Sequence, residues 1–259
     1  MTDKIILKEE VKEEKEVKEV KQVKEEVKSN WFNKTFLLYK NDPLIESIIK
    51  NYIFYITSFI CLIIISIYSK NNLFYTIVSF IIASFSGFVI HYVSHDIKLE
   101  EAYLKQNNYI RRNKYSNNIV LFFCKLLDFH ETIHHESSIN KLKQNMIIEF
   151  ILNFITQGGC AMLVCYFAKK MNQYVFLLWG LMYCSVHIIN YSYIPSKIHE
   201  KHHLDKKTNY GIDIWDVMLG TKYNNDTSDI EIINHYSINI IIITVIIILL
   251  IKYNVLSFS

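Results

Sequence analysis

Long uncharged apolar blocks alternate with polar segments along the chain, and the blocks are too long to be strands. The first runs from Tyr52 to Ser69 and the second from Leu73 to about Ser94, with only Lys70, Asn71 and Asn72 between them. Each is close to the roughly 20 residues that a helix needs to cross a bilayer, so the pair predicts a tight transmembrane hairpin. A third block, Phe150 to Ala168, is followed by the polar Lys169, Lys170, Asn172 and Gln173. The fourth runs from Tyr174 to Ile194 and stops at Pro195, where a helix naturally ends. A fifth, Ile238 to Ile251, is shorter, and at that length it spans a thin bilayer, lies at the interface or re-enters. The stretch Ile119 to Leu127 is apolar but too short to span, which places it at the interface. The expected fold is therefore an all-α integral membrane protein with four to five transmembrane helices: two hairpins plus a short C-terminal apolar helix.

Two polar segments, 95–149 and 195–237, interrupt a membrane-embedded domain that covers residues 45–253. If the N-terminal tail is cytosolic, two crossings return the chain to the cytosol at His95, and two more return it at His199. Both polar segments then form one cytosolic, histidine-rich helical cap. Charge agrees: Lys98, Lys105, Arg111, Arg112, Lys114 and Lys125 precede the third block, whereas Lys169 and Lys170 stand alone in the opposite turn. Residues 1–30 are a charged Lys/Glu-rich tail, in which opposite charges at helical spacing support a partly helical or disordered segment. Val17, Val20 and Val27 are spaced too irregularly for a coiled coil. No apolar run follows a basic start before residue 51, so the tail does not read as a secretory signal.

Composition adds limits. Of 259 residues 51% are hydrophobic, and the net charge of +3 gives no support for a nucleic-acid partner. The cysteines Cys61, Cys124, Cys160, Cys165 and Cys184 form no C-x-x-C pair, which leaves them as small packing residues rather than a zinc ribbon or disulfide framework.

The histidines change the picture. His91-Tyr-Val-Ser-His95 closes the second block, and residues four apart share a helix face, so both imidazoles can reach one ion. His130-Glu-Thr-Ile-His134-His135 repeats that spacing and adds a neighbour about 100° round the helix. His199-Glu-Lys-His202-His203 supplies partners at i, i+3 and i+4. Adjacent histidines point to different sides, so each adjacent pair can serve two metals. A lone H-x-x-x-H is weak, and a histidine at a bilayer interface is often there for its mixed polarity. Three clusters on one face, with His187 inside a block where an ionisable group is costly, point to metal binding. Imidazole suits zinc, copper, nickel and iron alike. Asp96, Glu131, Glu136 and Glu200 lie close by, either accepting the imidazoles' free N–H groups or standing as solvated loop charges. His235 stands apart and reads as a surface residue.

The run His199-Glu-Lys-His202-His203, then Asn209-Tyr210-Gly211, Trp215-Asp216 and Leu219-Gly220-Thr221, resembles the fatty acid hydroxylase and sterol desaturase superfamily. It looks like that family's last histidine box with its N-Y-G, W-D and G-T elements, and the resemblance covers roughly residues 75 to 225. The middle box departs from the pattern, being H-x-x-x-H-H where the family has H-x-x-H-H, and the gap from His95 to His130 is longer. His187 matches a family position where a histidine helps bind metal. Asn190, beside it, could complete the ligand set or hold a water, or be an ordinary polar residue of the helix. The resemblance implies two iron ions, which zinc could replace in a purified sample, and O₂ as co-substrate. It implies hydroxylation or desaturation of a lipid substrate, a fatty acyl chain, sphingolipid or sterol. Electrons would come from a b-type cytochrome and its NAD(P)H reductase, since this chain carries no haem or dinucleotide motif. The expected location is the endoplasmic reticulum membrane, with the N-terminus and histidine boxes cytosolic. Two other readings compete: a divalent-metal transporter or sensor, and an inactive relative that keeps its boxes as structural staples.

Overall fold

A computed structural model describes residues 42–105, 114–128, 143–166, 168–191, 196–226 and 228–258. The chain divides after Glu46 into two units, and the second, Ser47–Ser259, carries every element that bears on the site. Among the described residues the regular structure is entirely helical. After α1 (Pro43–Lys50) come α2 (Tyr52–Ser69), α3 (Leu73–Ser94), α4 (Leu99–Lys105) and α5 (Lys114–Leu127). Helix α6 (Lys143–Phe154) runs through a π-helical turn (Ile155–Gly159) into α7 (Cys160–Tyr166). Helix α8 (Gln173–Ser185) likewise continues as a π-helical turn (Val186–Asn190), followed by α9 (Lys197–Leu204), α10 (Asp213–Leu219) and α11 (Tyr236–Lys252).

Among the described residues, three helical stretches are long and apolar enough to cross a membrane: Tyr52–Ser69, Leu73–Lys105 and Met146–Leu163. In the second, a turn at 95–98 separates α3 from α4. The expected hairpin is there. Lys70 ends α2 in a left-handed conformation (φ 54°), and its N–H reaches the carbonyls of Ile67 and Ser66. The Asn72 side chain then starts α3 by accepting from the Phe74 N–H at 2.8 Å. These contacts satisfy the end groups that a helix leaves unpaired.

The fourth block differs in character from a lipid-facing span. Every residue from Asn172 to Gly180 is buried, because α8 is enclosed by α3, α11 and the α6–α7 helix. A helix that is apolar all round is at home in such a core. The fifth block, α11, is 17 residues long and packs along α2 and α8. The outer faces carry a belt of exposed Ile and Phe, including Ile53, Ile56, Phe59, Ile60 and Ile67 on α2, and Ile241, Val245 and Leu249 on α11. Apolar surface on this scale is avoided by proteins that live in water.

Buried asparagines tie the bundle at both ends. Asn172 donates to Ser69 Oγ and Thr76 Oγ1, each at 3.0 Å, and so joins the α7–α8 turn to the α2–α3 turn. Asn51 donates to the Glu231 carbonyl and accepts from the Ile233 N–H, both at 2.8 Å. In the middle, Gly158 lies against α8, and a Cβ there would sit 2.7 Å from the Phe176 carbonyl and 2.8 Å from Gly180 Cα. Both obstacles are backbone, so Gly158→Ala must push two helices apart, at a cost of about 1–3 kcal/mol. Thermal unfolding in detergent should show a clear fall for Gly158→Ala. It should show almost none for Gly159→Ala, whose Cβ would meet nothing closer than 3.7 Å.

Candidate metal centre

The end of α3, the π-helical turn after α8, and α9 bring six histidines together. His91 and His95 come from the last turn of α3 and the residue that caps it, one above the other, with ring centroids 5.4 Å apart. Ser196 caps α9 by accepting from the His199 N–H at 3.2 Å, which sets His199 in the first turn of that short helix and His202 and His203 in the next. His202, fully buried, meets the rings of His91 and His95 at 4.7 and 5.0 Å. Among the described residues, His91, His95 and His202 each bring one potential ligand atom within 4.8 Å of the others. His203 turns the other way: its Nε2 lies 3.0 Å from His199 Nε2, and the His199 ring meets that of His187 at 5.0 Å. The adjacent pair His202/His203 thus divides between two neighbouring groups, as its spacing suggested.

Protonation follows from the outer nitrogens. His91 Nδ1 lies 2.5 Å from the Tyr210 carbonyl, and His202 Nδ1 lies 2.6 Å from the Thr208 carbonyl. A carbonyl can only accept, so each Nδ1 carries the hydrogen and each neutral ring presents a bare Nε2. Those two Nε2 atoms face each other at 3.1 Å. Two lone pairs repel at that distance, and a metal ion or a proton between them makes the contact attractive. The donor set therefore fits a metal ion held through Nε2, with Nδ1–H anchored behind it.

For His91 and His202 the anchors are carbonyls, where the sequence left open whether nearby carboxylates take that role or stand as solvated charges. Asp96 and Glu200 are both exposed. The loop between α9 and α10 does this work instead. Asn209 takes a left-handed conformation (φ 55°) and its N–H pairs with the Thr221 carbonyl at 2.8 Å. The buried Asp216 carboxylate accepts from the Tyr210 N–H (2.9 Å), the Gly211 N–H (3.0 Å) and the Thr221 hydroxyl (2.6 Å). Trp215 donates to Ser84 on α3 at 3.2 Å, and Gly211 packs on the Phe88 ring. Gly220, in a left-handed conformation (φ 70°), ends α10. The N-Y-G, W-D and G-T elements are thus the frame that presents the Tyr210 and Thr208 carbonyls to His91 and His202. Burial pushes the Asp216 carboxyl up to about 7, against the pull of its three hydrogen bonds and of Lys222. Lys222 itself pairs with Asp213 at 2.5 Å, both side chains fully enclosed.

Asn190 pairs with a neighbouring helix. Its amide exchanges two 3.0 Å hydrogen bonds with Asn239 on α11, a helix-to-helix contact. His235 is half-buried at the start of α11, edge-on to Tyr236, rather than fully at the surface. His130, His134, His135, Glu131 and Glu136 lie outside the described residues.

A cleft opens beside the histidines, enclosing about 570 Å³ with its mouth included. His91, His187 and His199 line it together with Gly87, Gln157 and Trp179. Its wall includes Glu231, a residue with no spacing signal in the sequence. Glu231 accepts from Ser196 Oγ at 2.5 Å and from the Tyr191 and Tyr236 hydroxyls at 3.4 Å, and burial raises its carboxyl above the ordinary range. Tyr191 in turn stacks on His199 with ring centroids 4.3 Å apart. Compared with models of known protein families, with curated proteins and with solved structures, the chain matches none.

Proposed function

We propose that this protein is an integral-membrane oxidoreductase that holds two iron ions among its histidines and oxidises a C–H bond of a lipid. One observation carries the reading. Imidazole nitrogens face each other in two neighbouring groups, at 3.1 Å in the buried group with His202 and at 3.0 Å in the half-buried group with His203, beside a cleft with a largely apolar lining. The likeness of the boxes and of the loop behind them to the fatty acid hydroxylase and sterol desaturase superfamily supports iron over the other metals that imidazole binds. His91, His95 and His202 would hold one ion; His187, His199 and His203 would share the other with the middle box. Iron with O₂ and two electrons supplies the attack on an unactivated C–H bond.

The balance is R–H + O₂ + 2e⁻ + 2H⁺ → R–OH + H₂O for hydroxylation. Loss of a second hydrogen gives a C=C bond and a second water instead. The protein's part is to hold, orient and exclude. The Tyr210 and Thr208 carbonyls keep Nδ1 of His91 and His202 protonated, so Nε2 stays available. The apolar wall of the cleft, with Phe88, Met182 and Val186, keeps bulk water from the reacting carbon. Electrons arrive from a separate b-type cytochrome and its NAD(P)H reductase on the cytosolic face, which the Lys/Arg bias marks. In this reading α8 and α11 cross the endoplasmic reticulum membrane with the three longer helices, and α5 lies at the interface with Ile119, Phe122 and Phe123 outward.

Full-length protein purified from iron-replete cells should contain close to two irons per chain. Lipid mass spectrometry of cells with and without it should reveal a species that gains one oxygen or loses two hydrogens. Protein devoid of metal after iron-replete expression would sink the proposal.

A further inference from the structure

Around Gly87 the cleft is lined by α3, the π-helical turn after α6, and α8, and among the described residues two polar atoms there lack partners. Gln157 Oε1 and Trp179 Nε1 are both buried and make no hydrogen bond, although Gln157 is 3% and Trp179 2% exposed. The orientation of the Gln157 amide is fixed, because its Nε2 donates to the Gly87 carbonyl at 3.2 Å, which leaves Oε1 as the unused acceptor. Trp179 Nε1 can only donate. Both line the cleft. Both also crowd the same side of Gly87, since a Cβ there would stand 2.3 Å from Gln157 Oε1 and 2.8 Å from Trp179 Nε1, which puts the two unpaired atoms within about 5 Å of each other. Only glycine at 87 lets the two side chains approach the α3 backbone so closely. A buried donor and a buried acceptor left unpaired are each destabilising, and such groups in a folded protein ordinarily have a partner.

We propose that this part of the cleft is a hydroxyl-binding subsite, and that the lipid the protein takes carries an alcohol group there. A hydroxyl oxygen donates one hydrogen bond and accepts another, which is what an unpaired acceptor and an unpaired donor within about 5 Å of each other require. A trans amide sends its N–H and C=O in opposite directions, and an ester or ether offers no donor for Gln157. The subsite is placed to choose the carbon as well as the lipid. Gly87 is one helical turn, about 6 Å, from His91, so the reacting C–H lies a few bonds from the hydroxyl. The π-helical turns support the assignment, because such turns often mark functional sites and the two here carry Gln157 and His187. The assignment of a lipid occupant rests on the proposed function, but binding can be measured without turnover.

The test is equilibrium binding of radiolabelled hexadecan-1-ol and cholesterol to the full-length protein in detergent, with hexadecane and cholestane as competitors lacking the hydroxyl. At least one alcohol should bind about tenfold to a hundredfold more tightly than its deoxy analogue. Trp179→Phe keeps the ring and removes the donor, and Gln157→Leu keeps the volume and removes the acceptor. Each should cut that preference severalfold while the deoxy analogue binds as before. Elution profile and thermal unfolding of both variants establish that they fold. Equal binding of alcohol and hydrocarbon overturns the subsite, as does a preference that survives both substitutions. Failure of either alcohol to bind, which would leave an ordered water as the only occupant, overturns it too. A hydroxyl preference in protein that proves to hold no iron would keep the subsite and remove the oxidase reading.

Discussion

Replacing His202 with alanine is expected to remove one bound metal ion per chain and to abolish product formation while leaving the second ion in place. His202 is fully buried and is the ring through which α9 reaches His91 and His95 on α3. Removing a group that only orients a ligand typically costs 10–100-fold in metal affinity, and removing a ligand costs more. His203→Ala should remove the other ion, since its Nε2 faces His199 and not His91. Metal analysis of the two variants therefore separates a dinuclear centre from a single site. Loss of one equivalent in each variant, and of both in the double variant, is the expected pattern. Retention of full metal content by His202→Ala would place the ion elsewhere. Histidines kept only as structural staples would show no metal in any of the three proteins, with a fall in unfolding temperature alone.

Much of this centre was legible because its signals are local. The i, i+4 spacing of His91 and His95 and the adjacency of His202 and His203 are fixed by helix geometry, whatever the helices pack against. The hairpin at Lys70–Asn72 was legible for the same reason. What escaped depends on tertiary contact. The sequence offered Asp96 and Glu200 as partners for the imidazoles because they are near in number, yet both are exposed and backbone carbonyls take the role. A carbonyl leaves no mark on a sequence. Asp216 stood in plain view within the W-D element, but only the fold shows what its carboxylate holds. Block lengths gave α8 as one more span, and only packing reveals it as the enclosed helix of the bundle. Gln157, Trp179 and Glu231 had no pattern at all, since their relation to the histidines spans residues 87 to 231.

The same loop sets the second large effect, which lies outside the histidines. Asp216→Ala leaves the Tyr210 N–H, the Gly211 N–H and the Thr221 hydroxyl without their acceptor in a buried position. At roughly 1–3 kcal/mol for each of three orphaned donors, the loss is about 3–9 kcal/mol, a large share of a typical stability. Because Tyr210 also presents its carbonyl to His91, the variant should bind the ion at His91, His95 and His202 more weakly, though no ligand has changed. Asp216→Asn separates charge from packing. It keeps one oxygen for Tyr210 and Thr221 and turns an amide NH₂ toward Gly211. The folded carboxyl holds its proton to about pH 7 and the unfolded one only to its ordinary value of 3.8. Below pH 3.8 both states are protonated and the contribution is fully present; as pH rises through 7 it is lost. Three units correspond to about 4 kcal/mol, as an order of magnitude. Thermal unfolding of the wild type in detergent should therefore fall between pH 5 and about pH 8, and the Asp216→Asn variant should lose that slope. A slope unchanged in Asp216→Asn would assign it to another group. Metal content unchanged in Asp216→Ala would mean that His91 keeps its tautomer without the loop, and the N-Y-G and W-D elements would then serve the fold alone.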